Sequence, residues 1–316
     1  MKQNQFSIRV PASTANLGPG FDSIGMALNR YLTLHVQSSN EWIFVVTSDN
    51  LNGIPTGKDN LIYQIAAWIA TEYNRELPDT RVEMESDIPL ARGFGSSATA
   101  IVAGIELANQ LLELDLSSDE KARWASIYEG HPDNVAPSIY GGLIIGSHRE
   151  DETNIVHAGI PDIDLVAVIP EYELSTKESR SALPEAFTHK EAVEASSISN
   201  VLVAAILQND WALAGRMMNK DLFHCPYRMP NIPEWQKAVK LAEELPVYGA
   251  TLSGAGPIIL FFVPKGSGKE VKLQLRGHFN EHRVEMLEVD REGVTVSETI
   301  TSSNQLKSSS SSSEMR

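Results

Sequence analysis

The stretch Pro89-Leu-Ala-Arg-Gly-Phe-Gly-Ser-Ser-Ala-Thr99 carries the strongest local signal in the chain. Two glycines and two serines open an alanine-rich segment, residues 97–112, whose apolar side chains recur with helical spacing. Glycines let the backbone approach a ligand closely, and a helix N-terminus offers free N–H groups and the positive end of its dipole. The stretch therefore predicts a phosphate-binding loop that leads into a buried helix.

The same loop has features of motifs other than a phosphate-binding loop. A tight turn capped by serine uses the same residues and stays open at this point. Gly93, Gly95 and Ala98 match the letters of a dinucleotide fingerprint, but residues 86–92, with Pro89 among them, separate the first glycine from the preceding strand. A Walker loop would need Gly-Lys-Ser/Thr, and a serine-hydrolase elbow would need glycine where Ala98 stands.

Composition bounds the class of protein. The chain has 316 residues, of which 42% are hydrophobic and 21% charged, so it can bury the cores of two ordinary domains. Its net charge of -15 repels phosphate backbones and anionic lipid, so we expect no nucleic-acid partner and no membrane partner. The single cysteine, Cys225, cannot form an internal disulfide. Because residues 1–9 lack an apolar signal core and the apolar runs are strand-sized, we expect a cytoplasmic protein.

The remaining segments mix strands and helices without the regular alternation of a doubly wound sheet, which predicts an α+β chain. Strands are predicted at residues 32–36, 42–47, 81–85, 141–146, 165–169, 249–252, 258–263 and 283–289. Helices are predicted at residues 60–73, 97–112, 118–129, 198–208, 234–244 and 269–279.

A polar stretch near residues 148–160 is interpreted as the link between two domains. We predict an N-terminal domain at residues 1–155, which contains the phosphate loop, and a C-terminal domain at residues 156–300. Residues 301–316 include an unbroken serine run and predict a disordered tail.

Three further motifs give the loop its context. They are Val10-Pro-Ala-Ser-Thr-Ala-Asn-Leu-Gly-Pro-Gly-Phe-Asp22, Glu129-Gly-His-Pro-Asp-Asn-Val-Ala-Pro137 and Gly249-Ala-Thr-Leu-Ser-Gly-Ala-Gly-Pro257. Together with residues 89–99, their order and spacing resemble those of the GHMP small-molecule kinases. The form of the first motif is most similar to that of the homoserine kinase family, and the resemblance spans nearly the whole chain apart from the tail.

This resemblance implies a fold and an activity. The expected architecture is the two-domain GHMP kinase fold, with a ribosomal-S5-domain-2-like N-terminal domain and a ferredoxin-like C-terminal domain around the active site. The implied reaction transfers a phosphoryl group from ATP to L-homoserine in threonine biosynthesis. By the same analogy the protein is expected to be a homodimer.

The resemblance also implies where ATP and Mg²⁺ bind. ATP would contact Asn60 and the loop residues Pro89, Leu90, Ala91, Arg92, Gly93, Phe94, Gly95, Ser96, Ser97, Ala98 and Thr99. Because the loop has no lysine, Mg²⁺ must neutralise much of the phosphate charge. The family pattern assigns the metal to Ser97 and Glu129. From the helix sequence alone, a solvated acid at a helix end is the better interpretation of Glu129.

The substrate residues follow from the chemistry of an amino acid with a hydroxyl group. Arginine forks hold a carboxylate best, and Arg180 and Arg228 lie in segments that resemble the substrate loops of the family. Asp22 is assigned to the ammonium group. The hydroxyl group and its surroundings are assigned to Asn16, Asn134, His131 and Asp133, with Thr176 orienting Asn134.

The predicted catalytic residues are Asn134, Glu129 and Ser97. An amide such as that of Asn134 cannot accept a proton, so we expect catalysis by alignment and Mg²⁺, with the alcohol proton passing to phosphate. The alternatives are a related kinase acting on another small alcohol, an inactive relative that binds a ligand for regulation and, more remotely, a dehydrogenase. Intact Ser97 and Glu129 argue against the inactive relative.

Overall fold

Two sheets organise the chain in a computed structural model that describes residues 5–298. The side chains of Thr176 and Lys177 lie outside this description, and so does the predicted serine-rich tail at 301–316. The strands are β1 (Phe6–Ala15), β2 (Ile24–Ser38), β3 (Ile43–Val46), β4 (Thr80–Ser86), β5 (Leu143–His148), β6 (Thr153–Gly159), β7 (Ile163–Ile169), β8 (Gly249–Leu252), β9 (Ile259–Pro264), β10 (Arg283–Leu287) and β11 (Thr295–Glu298).

The larger sheet has seven strands, of which five run in the order β11-β1-β2-β4-β3. Strand β2 also pairs with β5, which continues to β6. Strands β3 and β4 are parallel, and the other pairs described in this sheet are antiparallel. The smaller sheet is antiparallel, in the order β10-β7-β9-β8. The predicted mixture of helices and antiparallel strands is confirmed.

The helices are α1 (Leu61–Glu72), α2 (Ser96–Leu112), α3 (Ser118–Glu129), α4 (Val135–Tyr140), α5 (Thr176–Ser181), α6 (His189–Leu207), α7 (Trp211–Met218), α8 (Cys225–Arg228), α9 (Trp235–Glu244) and α10 (Gly268–His278). Helix α2 packs against β1 and β2 and is flanked by α1 and α3. Helix α3 begins with a capping box between Ser117 and Glu120 and ends at Gly130, whose φ is +88°.

The smaller sheet is buried on both faces, as β7 shows. Leu165 and Ala167 belong to the apolar core shared with the larger sheet, whereas Val166 and Val168 belong to a second core beneath α9 and α10. Successive side chains of a strand point to opposite faces, so a strand between two cores has apolar residues at every position. This is why residues 165–169 of β7 are a continuous apolar run.

The predicted link between domains is corrected by the strand pairing. Residues 148–153 form the turn of the β5–β6 hairpin, so the boundary at residue 155 falls inside β6, a strand of the larger sheet. Residues 295–298, assigned to the C-terminal domain, form β11 and pair with β1. A polar turn can join two strands of one sheet, and the sequence pattern does not distinguish such a turn from a link between domains.

Polar contacts connect β2 of the larger sheet to β10 of the smaller sheet and to the segment that follows β10. Arg30 of β2 donates to Glu285 of β10 over 2.7 Å, and both side chains are about one-fifth exposed. The hydroxyl group of Tyr31 donates to Asp290 over 2.9 Å. Within residues 5–298, no helix combines the length and apolar character needed to span a bilayer.

Candidate active site

The predicted phosphate loop lies at the N-terminus of α2. Gly95 is the N-cap residue, with φ of +66°, and Gly93 has φ of +98°. A Cβ atom on Gly95 would lie 2.5 Å from Ser13 Oγ and 2.8 Å from Asn134 Oδ1. Only glycine fits this backbone conformation and this space, so the loop approaches the motifs at residues 10–22 and 129–137 through bare backbone.

The second glycine loop, residues 253–256, packs against the first. Ser253 Oγ donates to the carbonyl of Gly93 over 2.6 Å, and the N–H of Ile258 donates to the carbonyl of Arg92 over 3.3 Å. A Cβ atom on Gly93 would lie 2.3 Å from the carbonyl oxygen of Ser253. The two loops come from different sheets and meet at one site, as the family resemblance implied.

A mostly apolar cavity of about 450 Å³ opens on one side of the loop. Ser96, Ser97 and Thr99 of α2 lie on its wall, together with Asn60 and apolar residues that include Leu51, Ile54, Ile62, Met84, Ile88 and Leu90. Asn60 Oδ1 accepts from the N–H of Ile62 over 2.9 Å, and its Nδ2 donates to the carbonyl of Pro55 over 2.8 Å. The amide of Asn60 thus caps α1 and fixes the cavity wall.

Acidic and basic side chains cluster on the substrate motifs. Arg180 forms a two-pronged ion pair with Asp22, with N–O distances of 2.8 and 3.1 Å. His131 Nδ1 lies 2.5 Å from Asp133 Oδ1. The ligating atoms of Asp22, His131 and Asp133 all lie within 4.8 Å of one another. The structure therefore brings together four predicted substrate residues that come from three separate motifs.

Burial and charge shift the proton affinities of two groups here. Burial raises the pKa of Glu129 above its usual value, and the charges of Asp133 and Asp22 act in the same direction, against those of His131 and Arg180. Burial disfavours the imidazolium form of His131, but the hydrogen bond and charge of Asp133, with the charges of Asp22 and Glu129, raise the pKa of His131 above its usual value.

Arg228 is buried beside the second glycine loop. Its Nη1 donates to the carbonyl of Gly254 over 3.1 Å and to His224 Nδ1 over 3.2 Å, and its Nε donates to the carbonyl of Ser179 over 3.4 Å. Burial lowers its pKa, and the charge of Arg180 adds to this effect. Within the described part of the chain, no carboxylate forms an ion pair with Arg228.

The two asparagines predicted to bind substrate, Asn134 and Asn16, lie against the two glycine loops. Asn134 accepts from Ser13 Oγ over 3.1 Å beside Gly95. Asn16 Oδ1 accepts from the N–H of Asp22, and its Nδ2 donates to the carbonyl of Gly254, so its amide braces two loops. No hydrogen bond joins the side chains of Ser97 and Glu129 among the residues described, and the Thr176 side chain lies outside them.

Sequence reasoning missed three side chains of this site: Ser13, Phe21 and His224. Ser13 and Phe21 belong to the motif at residues 10–22, where the aromatic ring of Phe21 directly before Asp22 was an available signal. His224 precedes Cys225 and is fully buried, and nothing in its local pattern indicates a contact with Arg228.

Two segments of the chain match known protein families. Residues 60–142 match the family description "GHMP kinases N terminal domain", and residues 202–281 match "GHMP kinases C terminal". The chain is 53% identical to a homoserine kinase of Halalkalibacterium halodurans over 302 residues, covering 95% of this chain and 98% of the relative. It is 55% identical to a homoserine kinase of Bacillus pumilus over 291 residues, covering 92% of this chain and 94% of the relative.

A solved structure is also similar over nearly the whole chain. The crystal structure of a homoserine kinase from Cytophaga hutchinsonii superposes with a TM-score of 0.83 at 26% sequence identity. The match covers 94% of this chain and 98% of that one. The similarity therefore includes both sheets and the site where their glycine loops meet.

Proposed function

The chain belongs to the GHMP kinases and, within them, to the homoserine kinases, and from this premise we propose that it converts ATP and L-homoserine into ADP and O-phospho-L-homoserine in threonine biosynthesis. One observation carries the proposal: the phosphate loop lies between a mostly apolar cavity and a cluster of acids and arginines. A cavity of this kind suits a nucleotide base, and the charged cluster suits a zwitterionic amino acid.

Phosphate binding is proposed for residues 89–99. The first turn of α2 presents free backbone N–H groups, and Gly93 and Gly95 allow the phosphates to approach the backbone. The cavity beside Ser97 would take the nucleotide base, with Asn60 as a fixed part of its wall. ATP affinity then depends on backbone geometry more than on any charged side chain of the loop.

Mg²⁺ is proposed at Ser97 and Glu129. A hydroxyl and a carboxylate are the hard oxygen donors that this ion prefers, and it keeps several waters and phosphate oxygens besides. The donor chemistry fits in two respects. Ser97 is exposed on the first turn of α2. Burial disfavours the charged form of Glu129, and a cation facing this carboxylate would offset that cost. When bound, Mg²⁺ supplies neutralisation of the phosphate charge.

The substrate ends are proposed to bind at the arginine and aspartate side chains. An α-amino acid carries an ammonium group that can pair with Asp22 and a carboxylate that can pair with Arg180. Each half of the observed ion pair can thus exchange its internal partner for one end of the substrate. Arg228 adds a second fork toward the carboxylate. An alcohol that lacks either the ammonium group or the carboxylate would leave Asp22 or Arg180 without an oppositely charged partner.

The chemical step is proposed to depend on alignment. The substrate oxygen bonds to the γ-phosphorus as the bond from that phosphorus to the bridging oxygen of ADP breaks, and the alcohol proton passes to a phosphoryl oxygen. Asn134 lies beside Gly95 and would orient the hydroxyl group, which its amide cannot deprotonate. Asn16, His131 and Asp133 would line the same pocket, and Thr176 would orient Asn134.

We also propose that the protein acts in the cytoplasm as a homodimer. The support is the family resemblance. Light scattering coupled to gel filtration would measure twice the chain mass of 34.7 kDa for a dimer. A mass of one chain at working concentration would contradict it.

A coupled assay of ADP release tests the proposed function. Homoserine, mevalonate, galactose and a reaction without acceptor are compared at equal ATP and Mg²⁺. Homoserine alone should support turnover well above the rate without acceptor. Turnover with mevalonate or galactose instead would indicate a related small-alcohol kinase, and no turnover with any acceptor would indicate an inactive ligand-binding relative.

A further inference from the structure

One aromatic ring contacts both arginines of the substrate cluster. The ring of Phe21, next to Asp22, is partly exposed, and its centroid lies 5.3 Å from the guanidinium carbon of Arg228 and 5.5 Å from that of Arg180. Both distances fall within the range of cation–π attraction. The same ring stacks on the imidazole of His224, with centroids 5.2 Å apart and planes inclined by 25°.

The two guanidinium groups need such a contact because they repel each other. Burial lowers the pKa of Arg228, and the charge of the neighbouring Arg180 lowers it further, as expected for two cations close together. Asp22 pairs with Arg180 by occupying N–H donors that a ligand carboxylate would use. An aromatic face attracts both cations through its quadrupole without accepting from their N–H groups.

We propose that Phe21 is a positioning and specificity-determining residue, which holds Arg180 and Arg228 side by side as a matched pair of forks for the carboxylate of an amino-acid substrate. This inference rests on the proposed function, because it assigns Phe21 to the same substrate site. Phe21 sets where the two cations sit and does not touch the reacting hydroxyl group. The two arginines come from α5 and α8, so no single helix fixes their spacing.

The imidazole of His224 contacts both Phe21 and Arg228. Its Nε2 donates to the carbonyl of Gly18 over 2.9 Å, which leaves Nδ1 to accept from Arg228. Burial lowers the pKa of His224, and the charge of Arg228 acts in the same direction, against the charge of Asp221. The lowered pKa favours the neutral ring, which keeps this acceptor. Phe21 therefore contacts an imidazole held in place by Gly18 as well as the two guanidinium groups.

A fluorination series at position 21 tests the proposal without changing the size of the ring much. Phe21 is replaced in the full chain by fluoro-, trifluoro- and pentafluorophenylalanine, which progressively weaken and then reverse the quadrupole. We expect kcat/KM for homoserine to fall stepwise, by about 5- to 30-fold for the pentafluoro ring, mainly through KM. The KM for ATP should stay within about twofold, because the phosphate loop does not contact this ring.

Three comparisons separate positioning from a general structural role. The same fluorinated residues at Phe187, a partly exposed ring that contacts Phe223 and Tyr227, should leave KM for homoserine unchanged. Phe21→Trp should retain most of kcat/KM, whereas Phe21→Leu should resemble the pentafluoro variant. An amino alcohol that lacks the carboxylate should react equally slowly with the parent and with every Phe21 variant.

The outcomes distinguish this inference from the proposed function. If the parent enzyme does not phosphorylate homoserine, the proposed function fails. If the parent does so and Arg228→Ala raises KM, but the fluorination series is flat, the arginines bind the carboxylate and Phe21 does not position them. An equal loss with the carboxylate-free amino alcohol would also overturn the role of Phe21.

Discussion

At the scale of single residues, Glu129 combines partial burial with a charged neighbourhood and has a testable role. If it binds Mg²⁺ with Ser97, Glu129→Gln should lower kcat by two or more orders of magnitude, roughly 3 kcal/mol or more in the barrier. The amide keeps the size of the side chain, so the melting temperature should change little. Turnover is measured across a Mg²⁺ titration.

The control for this variant is Glu150→Gln, an exposed acid in the β5–β6 turn. It should match the parent in both turnover and melting temperature. Near-normal turnover of Glu129→Gln at saturating Mg²⁺ would contradict the metal assignment and return Glu129 to the role of an acid at the end of α3.

Arg228 offers the second residue-scale prediction. A charge-assisted hydrogen bond contributes roughly 1.5–3 kcal/mol, so Arg228→Ala should lower kcat/KM for homoserine by about 10- to 150-fold. Arg228→Lys should recover only part of this loss, because an ammonium group cannot form a two-pronged contact. ATP affinity, measured by fluorescence or calorimetry, should barely change.

The matched control is Arg149→Ala, an arginine of the β5–β6 turn that is mostly exposed. It should be indistinguishable from the parent. A carboxylate-free amino alcohol should lose little with Arg228→Ala. If it loses as much as homoserine does, Arg228 is not a carboxylate ligand and the case for an amino-acid substrate loses its main physical support.

At the scale of elements, Asp164 connects β7 to the start of α10. Its carboxylate accepts from the N–H groups of Gly266 and Gly268 and pairs with Lys265 over 3.1 Å. Burial disfavours the charged form, but these donors outweigh it and hold the pKa of Asp164 below its usual value. We therefore expect Asp164→Asn to lower the free energy of unfolding by about 1–2 kcal/mol at pH 7.

The pH dependence of this difference has a definite sign. A carboxylate whose pKa is lower in the folded state stabilises the protein fully above its unfolded pKa, and the contribution is lost as pH falls through the folded value. The gap between parent and Asp164→Asn in urea unfolding should therefore shrink below about pH 4. Asp162→Asn, an exposed neighbour, should show no gap at either pH. A gap that persists at low pH would contradict the charge-based explanation.

The elements differ in how far their sequence predicts them. Helix α2 and strand β7 are recognisable because one core or two cores impose a repeating apolar pattern on them. Strands β1, β6 and β11 were not predicted, since β1 mixes Ser, Thr and Pro, while β6 and β11 are short and largely exposed. Their conformation depends on partners that are remote in the sequence.

The candidate site shows the same limit. The motifs and the family resemblance predict candidate site residues position by position, and the roles of these residues stay predictions. The pairing of Asp22 with Arg180 joins residues 158 positions apart, and local sequence does not encode such a distance. The roles of Asn16 as a brace and of Phe21 as a platform depend on three-dimensional neighbours in the same way.

At the scale of the whole molecule, the contact between the two glycine loops joins the two sheets. Gly93→Ala would force a left-handed residue to carry a Cβ atom against the backbone of Ser253, so we expect a loss of about 2 kcal/mol or more in stability. ATP binding should weaken with it, because the loop must shift to relieve the clash. Urea unfolding and ATP titration measure the two effects.

Gly57→Ala is the matched control, because a Cβ atom there meets nothing within 4 Å. Its unfolding free energy should stay within about 0.5 kcal/mol of the parent value. If Gly93→Ala behaves like this control, the close packing of the two loops does not limit the assembly of the site.

The pairing of β1 with β11 joins residues that are translated far apart in time. Residues 6–9 leave the ribosome first, but the residues that cover their free edge, 295–298, are translated almost a whole chain later. Until then a nascent polypeptide has an unsatisfied strand edge, which is a template for intermolecular pairing. Pro11 has no N–H to offer a foreign strand, so the vulnerable stretch is short. The interval before the last strand emerges is therefore when the growing chain depends most on protection by chaperones.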